Sequence, residues 1–183
     1  MPTNHPLSDF HFCPHCGSPR FVPCNAHSKH CEACGFTFYP NAAAATVAVI
    51  VNDRHELLCT VRGREPHRGT LDLPGGFVDP GESLTEGLLR EVREEVGAEV
   101  EAFDFIESRP NTYLYSGHVV HTCDSFFRCR LRAGEALRPA DDVAALRYVA
   151  IASLQPADFG LPSVSAFVAS FKERYPAEEG LRP

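Results

Sequence analysis

A turn, a helix start, an acidic helix edge and a helix stop follow one another between Gly75 and Val100, and this stretch restricts the fold more than any other part of the 183-residue chain. Pro80-Gly81 is a turn pair, and Ser83 followed three residues later by Glu86 is a capping-box pattern, which starts a helix at about Ser83. Gly97 ends it, because glycine adopts the left-handed conformation of a helix C-terminus without penalty. At about 100° per residue, Leu84, Leu88, Leu89, Val92 and Val96 share a sector about 140° wide, which is predicted to face a core. Glu91, Glu94 and Glu95 fall beside it, and Arg90 borders them on the side away from the core.

Carboxylates three and four residues apart on a helix repel by a few tenths of a kcal/mol per pair, so this edge needs either solvent or a cation. A solvated acidic face is the simpler reading of the glutamates alone. Gly75-Gly76 and Glu82 favour the other. A glycine pair lets the backbone pass close to a ligand and turn a carbonyl towards it, and Glu82 brings a further carboxylate to the helix start. Such hard oxygen donors suit Mg²⁺, which keeps several waters and is shared between one or two carboxylates and substrate phosphates.

The pattern Gly, five residues, Glu, seven residues, Arg-Glu, an aliphatic residue, any residue, Glu-Glu, any residue, Gly is met by Gly76, Glu82, Arg90, Glu91, Val92, Glu94, Glu95 and Gly97. It resembles the signature of the Nudix hydrolases, with Ala98 where a larger aliphatic residue is usual. The resemblance implies an α/β protein, a Nudix α/β/α sandwich with a mixed sheet, that uses Mg²⁺ or Mn²⁺ to hydrolyse a nucleoside diphosphate linked to another group. Carried over by position, Glu91, Glu94, Glu95 and the carbonyl of Gly75 would hold the metal, and Arg90 and Glu82 would orient those carboxylates. The general base would be one of the glutamates or an acid from a later loop, for which Glu107 and Asp124 are candidates.

A net charge of −7 argues against nucleic acid as the principal partner but not against small nucleotides, which need only a few local cations. No basic-then-apolar leader is visible, and the longest apolar run, Ala42 to Val51, is about half a membrane span, so a cytoplasmic protein outside the membrane is expected. Four of the eight cysteines form Cys13-Pro-His-Cys16 and Cys31-Glu-Ala-Cys34, fourteen residues apart and each followed by glycine. Two such turns complete a tetrahedral Cys₄ site, and the spacing resembles a zinc ribbon with structural Zn²⁺. A redox dithiol is disfavoured because the flanks are short and rich in Pro, His and Ser. His15, His27 and His30 are expected in solvent and Cys24 as a bystander, while Cys59, Cys123 and Cys129 are expected as small hydrophobes in strands.

The composition changes around Tyr39-Pro40-Asn41, dividing a ribbon at 1–39 from a Nudix domain at 40–176, with 177–183 as a flexible tail. Thr46 to Val51 is predicted as a buried strand and Leu57 to Arg62 as its partner, after a turn at Asn52 to His55. Gly69 to Leu73 leads into the glycine pair as a short strand. Phe103 to Tyr115 and His118 to Leu131 form a hairpin round Ser116-Gly117, and Ala144 to Val149 is a further strand. Ser163 to Tyr175 closes the fold as a helix with Val164, Phe167, Val168 and Phe171 inward.

Arg62, Arg64 and Arg68 are candidates for substrate phosphate, because guanidinium matches phosphate oxygens; a solvated loop is the alternative. Leu71 stands where the family usually has a tryptophan before the glycine pair. A zinc ribbon followed by a Nudix domain is similar in order to the NADH pyrophosphatases, but their Ser-Gln-Pro-Trp segment corresponds here to Ser108-Arg109-Pro110-Asn111, without the tryptophan. ADP-ribose and NADH are therefore the leading substrates beside dinucleoside polyphosphates and damaged nucleoside triphosphates, with Tyr113 or Phe105 as a stacking surface for a base. Homodimers are frequent in the family, which makes a homodimer the candidate assembly. A non-catalytic ligand sensor or a zinc-ribbon adaptor is the reading from another class; its sign would be lost box carboxylates, and all are present.

Overall fold

The computed structural model describes residues 5–178; the side chains of Tyr113 and of residues 176–178, and the part of the expected tail beyond 178, lie outside what is described. The chain divides between Ala42 and Ala43 into two compact units. In the first, β1 (Phe21–Asn25), β2 (Ser28–Cys31) and β3 (Thr37–Phe38) make an antiparallel sheet over a small core of Cys13, Phe21 and Cys31. Each Cys-x-x-Cys turn closes with a glycine N–H on the first cysteine's carbonyl, Gly17 on Cys13 at 2.8 Å and Gly35 on Cys31 at 2.9 Å. Both glycines are left-handed, with φ of 72° and 79°.

The Sγ atoms of Cys13, Cys16, Cys31 and Cys34 all lie within 4.8 Å of one another, with 3.8 Å between Cys13 and Cys34 and 3.6 Å between Cys16 and Cys31. A tetrahedron of Zn–S bonds of about 2.3 Å has edges of about 3.8 Å, so the four sulfurs fit zinc. Burial opposes ionisation of Cys31, yet the N–H groups of Cys34 and Ala33 and the adjacent thiols bring it down to about 6. Cys34 moves the other way, to about 12: the N–H of Phe36 would lower it, but burial and the three neighbouring sulfurs outweigh that. Cys24 stands apart, its sulfur 3.0 Å from the Ser28 hydroxyl.

The second unit comprises β4 (Ala43–Ile50), β5 (Glu56–Arg62), β6 (Leu71–Asp72), β7 (Gly75–Phe77), α1 (Leu84–Val96), β8 (Val100–Tyr115), β9 (His118–Leu131), β10 (Val143–Ala150) and α2 (Pro162–Glu178). A four-stranded sheet runs β7-β4-β9-β8, and a three-stranded antiparallel sheet runs β10-β5-β6. β4 and β9 are parallel, from Ala43 opposite Thr122 to Ile50 opposite Cys129, and the other pairs are antiparallel, so the sheet is mixed. β5 is not the partner of β4 expected from the sequence. Both edges of β4 are taken, by β7 and β9, and only a single bridge, Val51 to Leu57, joins the two segments.

β4 is apolar from Val47 to Ile50, where both of its faces are covered. Val47 and Val49 pack with Phe126, Phe167, Val168 and Phe171 on the α2 side, and Ala48 and Ile50 pack with Leu88, Val92, Val96 and Phe127 on the α1 side. The layers are helix, sheet, helix. Phe126 and Phe167 stack at 4.2 Å between centroids, and Phe171 follows at 5.4 Å from Phe167. The hairpin turn has the left-handed pair its sequence demands, with φ of 50° at Ser116 and 80° at Gly117.

The capping box of α1 is formed in both directions, and Gly97 is left-handed at φ 73°. The buried face is narrower than the wheel suggests: Gly87, Leu88, Val92 and Val96 are buried, whereas Leu84 is 37% exposed. Val78 closes over the first turn at Gly87, where an added Cβ would meet its Cγ2 at 3.3 Å. Cys59 and Cys129 are buried thiols pushed up to about 12 by that burial. Cys123 is exposed, against expectation, because its buried neighbours Thr122 and Asp124 face the one side of β9 that is covered there. No helix among the described residues is long and apolar enough to cross a membrane.

Replacing Phe167 by Ala is expected to lower stability by about 3–5 kcal/mol, and Leu84→Ala by less than about 1 kcal/mol, in urea unfolding. For the first unit, the purified protein is expected to carry about one zinc ion and Cys31→Ser to lose it. Since metal binding supplies about 10 kcal/mol or more in peptides of this kind, hydrogen exchange should then show loss of protection in β1 to β3 and none in β4 to β9.

Candidate active site

β7 runs antiparallel to β4 so closely that only glycine fits its first position, and its second faces the Glu91 carboxylate at similarly short range. A Cβ on Gly75, which has φ 147°, would stand 2.1 Å from the carbonyl oxygen of Thr46, and one on Gly76 would stand 2.5 Å from Oε1 of Glu91. The glycine pair thus lays bare backbone against the acidic edge of α1. Arg90 organises that edge. Its Nε and Nη2 grip the two oxygens of Glu82 at 2.8 and 2.9 Å, Nη1 donates to Glu91 at 2.8 Å and Glu94 at 3.1 Å, and Nη2 also donates to the carbonyl of Phe77 at 2.9 Å. With Arg90 and the N–H of Asp79 as donors, Glu82 is held down at about 2.

Glu95 is anchored differently, its Oε2 accepting from the N–H of Gly75 at 2.9 Å. Burial pushes its carboxyl up to about 8, against that hydrogen bond, and the charges of Glu91, Asp72 and Asp141 push the same way. Glu91 is raised as well, by burial first, with Glu94 and Asp141 adding to it against Arg90. Oε2 of Glu91 and Oε1 of Glu95 have no hydrogen-bond donor among the described residues. Both side chains line a cavity of about 430 Å³ together with Gly75, Gly76, Asp72, Asp124 and Asp141.

Of the residues singled out in the sequence, Gly75, Glu91, Glu95, Arg62, Arg64 and Asp124 are brought together on that cavity, whereas Glu94, Arg90, Glu82, Arg68 and Glu107 are not among its lining. Glu94 is at the rim of the cluster, with its side chain 48% exposed. Arg62 is committed to Asp72 at 2.6 Å and to the carbonyl of Pro66 at 2.9 Å; Arg64 pairs with exposed Asp142 at 2.7 Å. Glu107 is gripped by Arg109 and Arg174. Both oxygens of Asp124 accept hydroxyls, from Thr122 and Ser163, each at 2.5 Å. Phe105 is 58% exposed.

Asp72 and Asp141 escaped the sequence reading. Asp72 is buried and raised by that burial in spite of Arg62, and Asp141 is a left-handed loop residue at φ 52°. Neither belongs to a periodic pattern; the sole signal is the Asp141-Asp142 pair after Pro139. The donor set suits a divalent cation, being hard oxygens in excess of the local positive charge, with bare backbone beside them. The carboxylates are more widely spaced than the cysteine sulfurs: among the described residues only the cysteines have three or more ligand atoms all within 4.8 Å.

A mixed sheet between two helices, with a glycine pair facing an arginine-organised acidic helix, defines the class. The chain belongs to the NUDIX family, whose domain matches residues 41–168. Similar proteins include the NAD-capped RNA hydrolase NudC of Chromobacterium violaceum, 37% identical over 103 residues, which are 54% of this chain and 37% of that protein. NudC of Stutzerimonas stutzeri is 28% identical over 177 residues, 97% of this chain and 60% of that protein. The chain thus spans less than two thirds of the length of either. A NUDIX hydrolase from Nitrosomonas europaea superposes with a TM-score of 0.68 at 21% identity, over 89% of this chain and 90% of that one. The NUDIX domain of Shewanella oneidensis NrtR, crystallised with ADP ribose, gives 0.57 at 19% identity over 75% and 90%. These two likenesses show the fold.

Glu95 ionises near 4.5 when unfolded and near 8 when folded. The advantage of its protonated form is complete below pH 4.5 and is lost as pH climbs to 8, so with no divalent cation added the thermal midpoint should fall across that window. Glu95→Gln is expected to flatten the decline in a pH series of thermal melts, and an unchanged slope would show that another group causes it.

Proposed function

We propose that the chain is a divalent-cation-dependent pyrophosphohydrolase acting on a nucleoside diphosphate linked to another group, with ADP-ribose and NADH as leading substrates. The observation that carries this is the pair Glu91 and Glu95, each anchored through one oxygen and offering the other at a cavity of nucleotide size, about 430 Å³. Glu91, Glu95, the carbonyl of Gly75 and, at the rim, Glu94 are the proposed holders of Mg²⁺ or Mn²⁺. When bound, such an ion offsets charge on the diphosphate and acidifies a water.

The chain's own residues have separable tasks in this reading. Arg90 and Glu82 keep Glu91 and Glu94 in place. Arg64 reaches substrate phosphate from the cavity mouth by exchanging its exposed partner Asp142, whereas Arg62 positions Asp72. The proton of the attacking water passes in this reading to Asp141, which lines the cavity and is not a proposed ligand of the cation, since Asp124 is engaged at both oxygens and Glu107 is held by two arginines. The four cysteines hold structural zinc and take no part in the chemistry, because a closed Cys₄ site has no open position.

The relatives' name points to an NAD pyrophosphate, free or at an RNA end, as a substrate worth including. Formation of a nucleoside monophosphate from ADP-ribose, NADH, diadenosine polyphosphates and nucleoside triphosphates tests the reading. Turnover of a diphosphate-linked nucleotide with Mg²⁺ or Mn²⁺, lowered at least about 100-fold by Glu95→Gln, is expected. Tight binding of ADP-ribose with no turnover under either cation would favour the ligand-sensor reading instead.

A further inference from the structure

The last rung of the β10–β5 ladder sets Val143 opposite Arg62, and one residue beyond it Gly63 donates its N–H to the carbonyl of Asp142 at 2.8 Å. The approach is close enough to demand glycine, since a Cβ there would stand 2.6 Å from that carbonyl oxygen. Backbone contact therefore decides which side chains meet past the end of the ladder. Nη1 of Arg64 pairs with Oδ1 of Asp142 at 2.7 Å, and both residues line the cavity that holds Glu91 and Glu95.

The charge of that cavity is one-sided. Among the described residues it is lined by eight carboxylate side chains and two guanidinium groups. Arg62 is engaged twice, by Asp72 and by the carbonyl of Pro66. The Arg64 side chain is 70% exposed and that of Asp142 47%. An ion pair so open to water contributes little to stability and exchanges readily for another anion. Arg64 is thus the guanidinium that a phosphate can take, and a carboxylate of the chain itself holds the place meanwhile.

We infer that Asp142 is a specificity-determining residue, which selects against phosphate ligands of high charge. A phosphate takes Arg64 only by displacing Asp142, and the released carboxylate stays at the cavity mouth beside Asp141, because Gly63 holds its backbone there. Its repulsion then grows with the charge of the ligand. A diphosphate joining two groups carries about two negative charges near neutral pH, whereas a nucleoside triphosphate with its terminal phosphate carries about four. The pair therefore favours diphosphate diesters over triphosphates. The inference rests on the pyrophosphohydrolase reading and adds to it the residue that sets the charge of the accepted substrate.

The test measures binding of the α,β-methylene analogues of ADP-ribose and of ATP, which share a base and resist hydrolysis, by calorimetry with Mg²⁺ at low ionic strength. The full chain is compared with Asp142→Asn, which keeps the backbone bond to Gly63, and with Asp142→Glu, which keeps the charge. Asp142→Asn is expected to lower Kd at least about threefold for the ADP-ribose analogue and at least about tenfold for the ATP analogue, while Asp142→Glu resembles wild type. Made in Arg64→Ala, the Asp142→Asn change is expected to give less than about half of each gain, since no guanidinium remains to be freed. No gain, equal gains for the two analogues, or an undiminished gain in Arg64→Ala overturns the inference. Turnover of ADP-ribose is followed in parallel. Binding that meets these expectations without turnover would overturn the hydrolytic reading alone, and failure of every variant to bind either analogue would overturn both.

Discussion

Arg90 spreads one guanidinium over Glu82, Glu91, Glu94 and the carbonyl of Phe77, and the acidic edge of α1 exists in its observed form because of it. The planar fork is suited to this: two of its nitrogens take both oxygens of one carboxylate while the third reaches the next turn of the helix. The end of β7, the turn after it and the first three turns of the helix are thereby fastened to each other. One positive charge does not neutralise the group, however. Glu91 and Glu95 are left raised, first by burial and then by neighbouring carboxylates, Glu94 and Asp141 beside Glu91, and Glu91, Asp72 and Asp141 beside Glu95.

The close passage of β7 along β4 is the second requirement of that arrangement. Gly75 has no room for a side chain because it abuts the backbone of the central strand, and Gly76 abuts the carboxylate of Glu91. A methyl group at either place would move the sheet or the acid. The same central strand divides the core, its alternate residues serving the two helical layers, so errors in its register would disturb both clusters at once.

What was legible in the sequence is what neighbouring residues determine. Ser83 and Glu86 cap each other, Gly97 stops the helix, Ser116-Gly117 turns the hairpin, and the cysteine pairs with their glycines converge on one point. Partnerships set by the whole sheet were not legible: Leu57 to Arg62 follows the central strand closely in the chain yet joins the other sheet, because β7 and β9 fill both edges of β4. Leu84 looked like core on the wheel but lies in a first turn whose contact is made by Gly87. Asp72 and Asp141 reach the cavity from separate elements. A site residue contributed singly, with no partner at fixed spacing, leaves nothing for periodicity to detect.

The parallel pairing of β4 with β9 also governs how the molecule must be assembled. Ala43 meets Thr122 and Ile50 meets Cys129, contacts of high sequence separation, whereas β8 and β9 are joined by a two-residue turn. Closing a long loop carries an entropic penalty that a tight hairpin avoids, so the β8–β9 ribbon can form early and alone while the central strand waits. During synthesis β4 leaves the ribosome well ahead of its parallel partner, with Val47, Val49 and Ile50 presented on an unpaired edge. The strand that unites the finished core is therefore the segment of the nascent chain most in need of protection from intermolecular pairing.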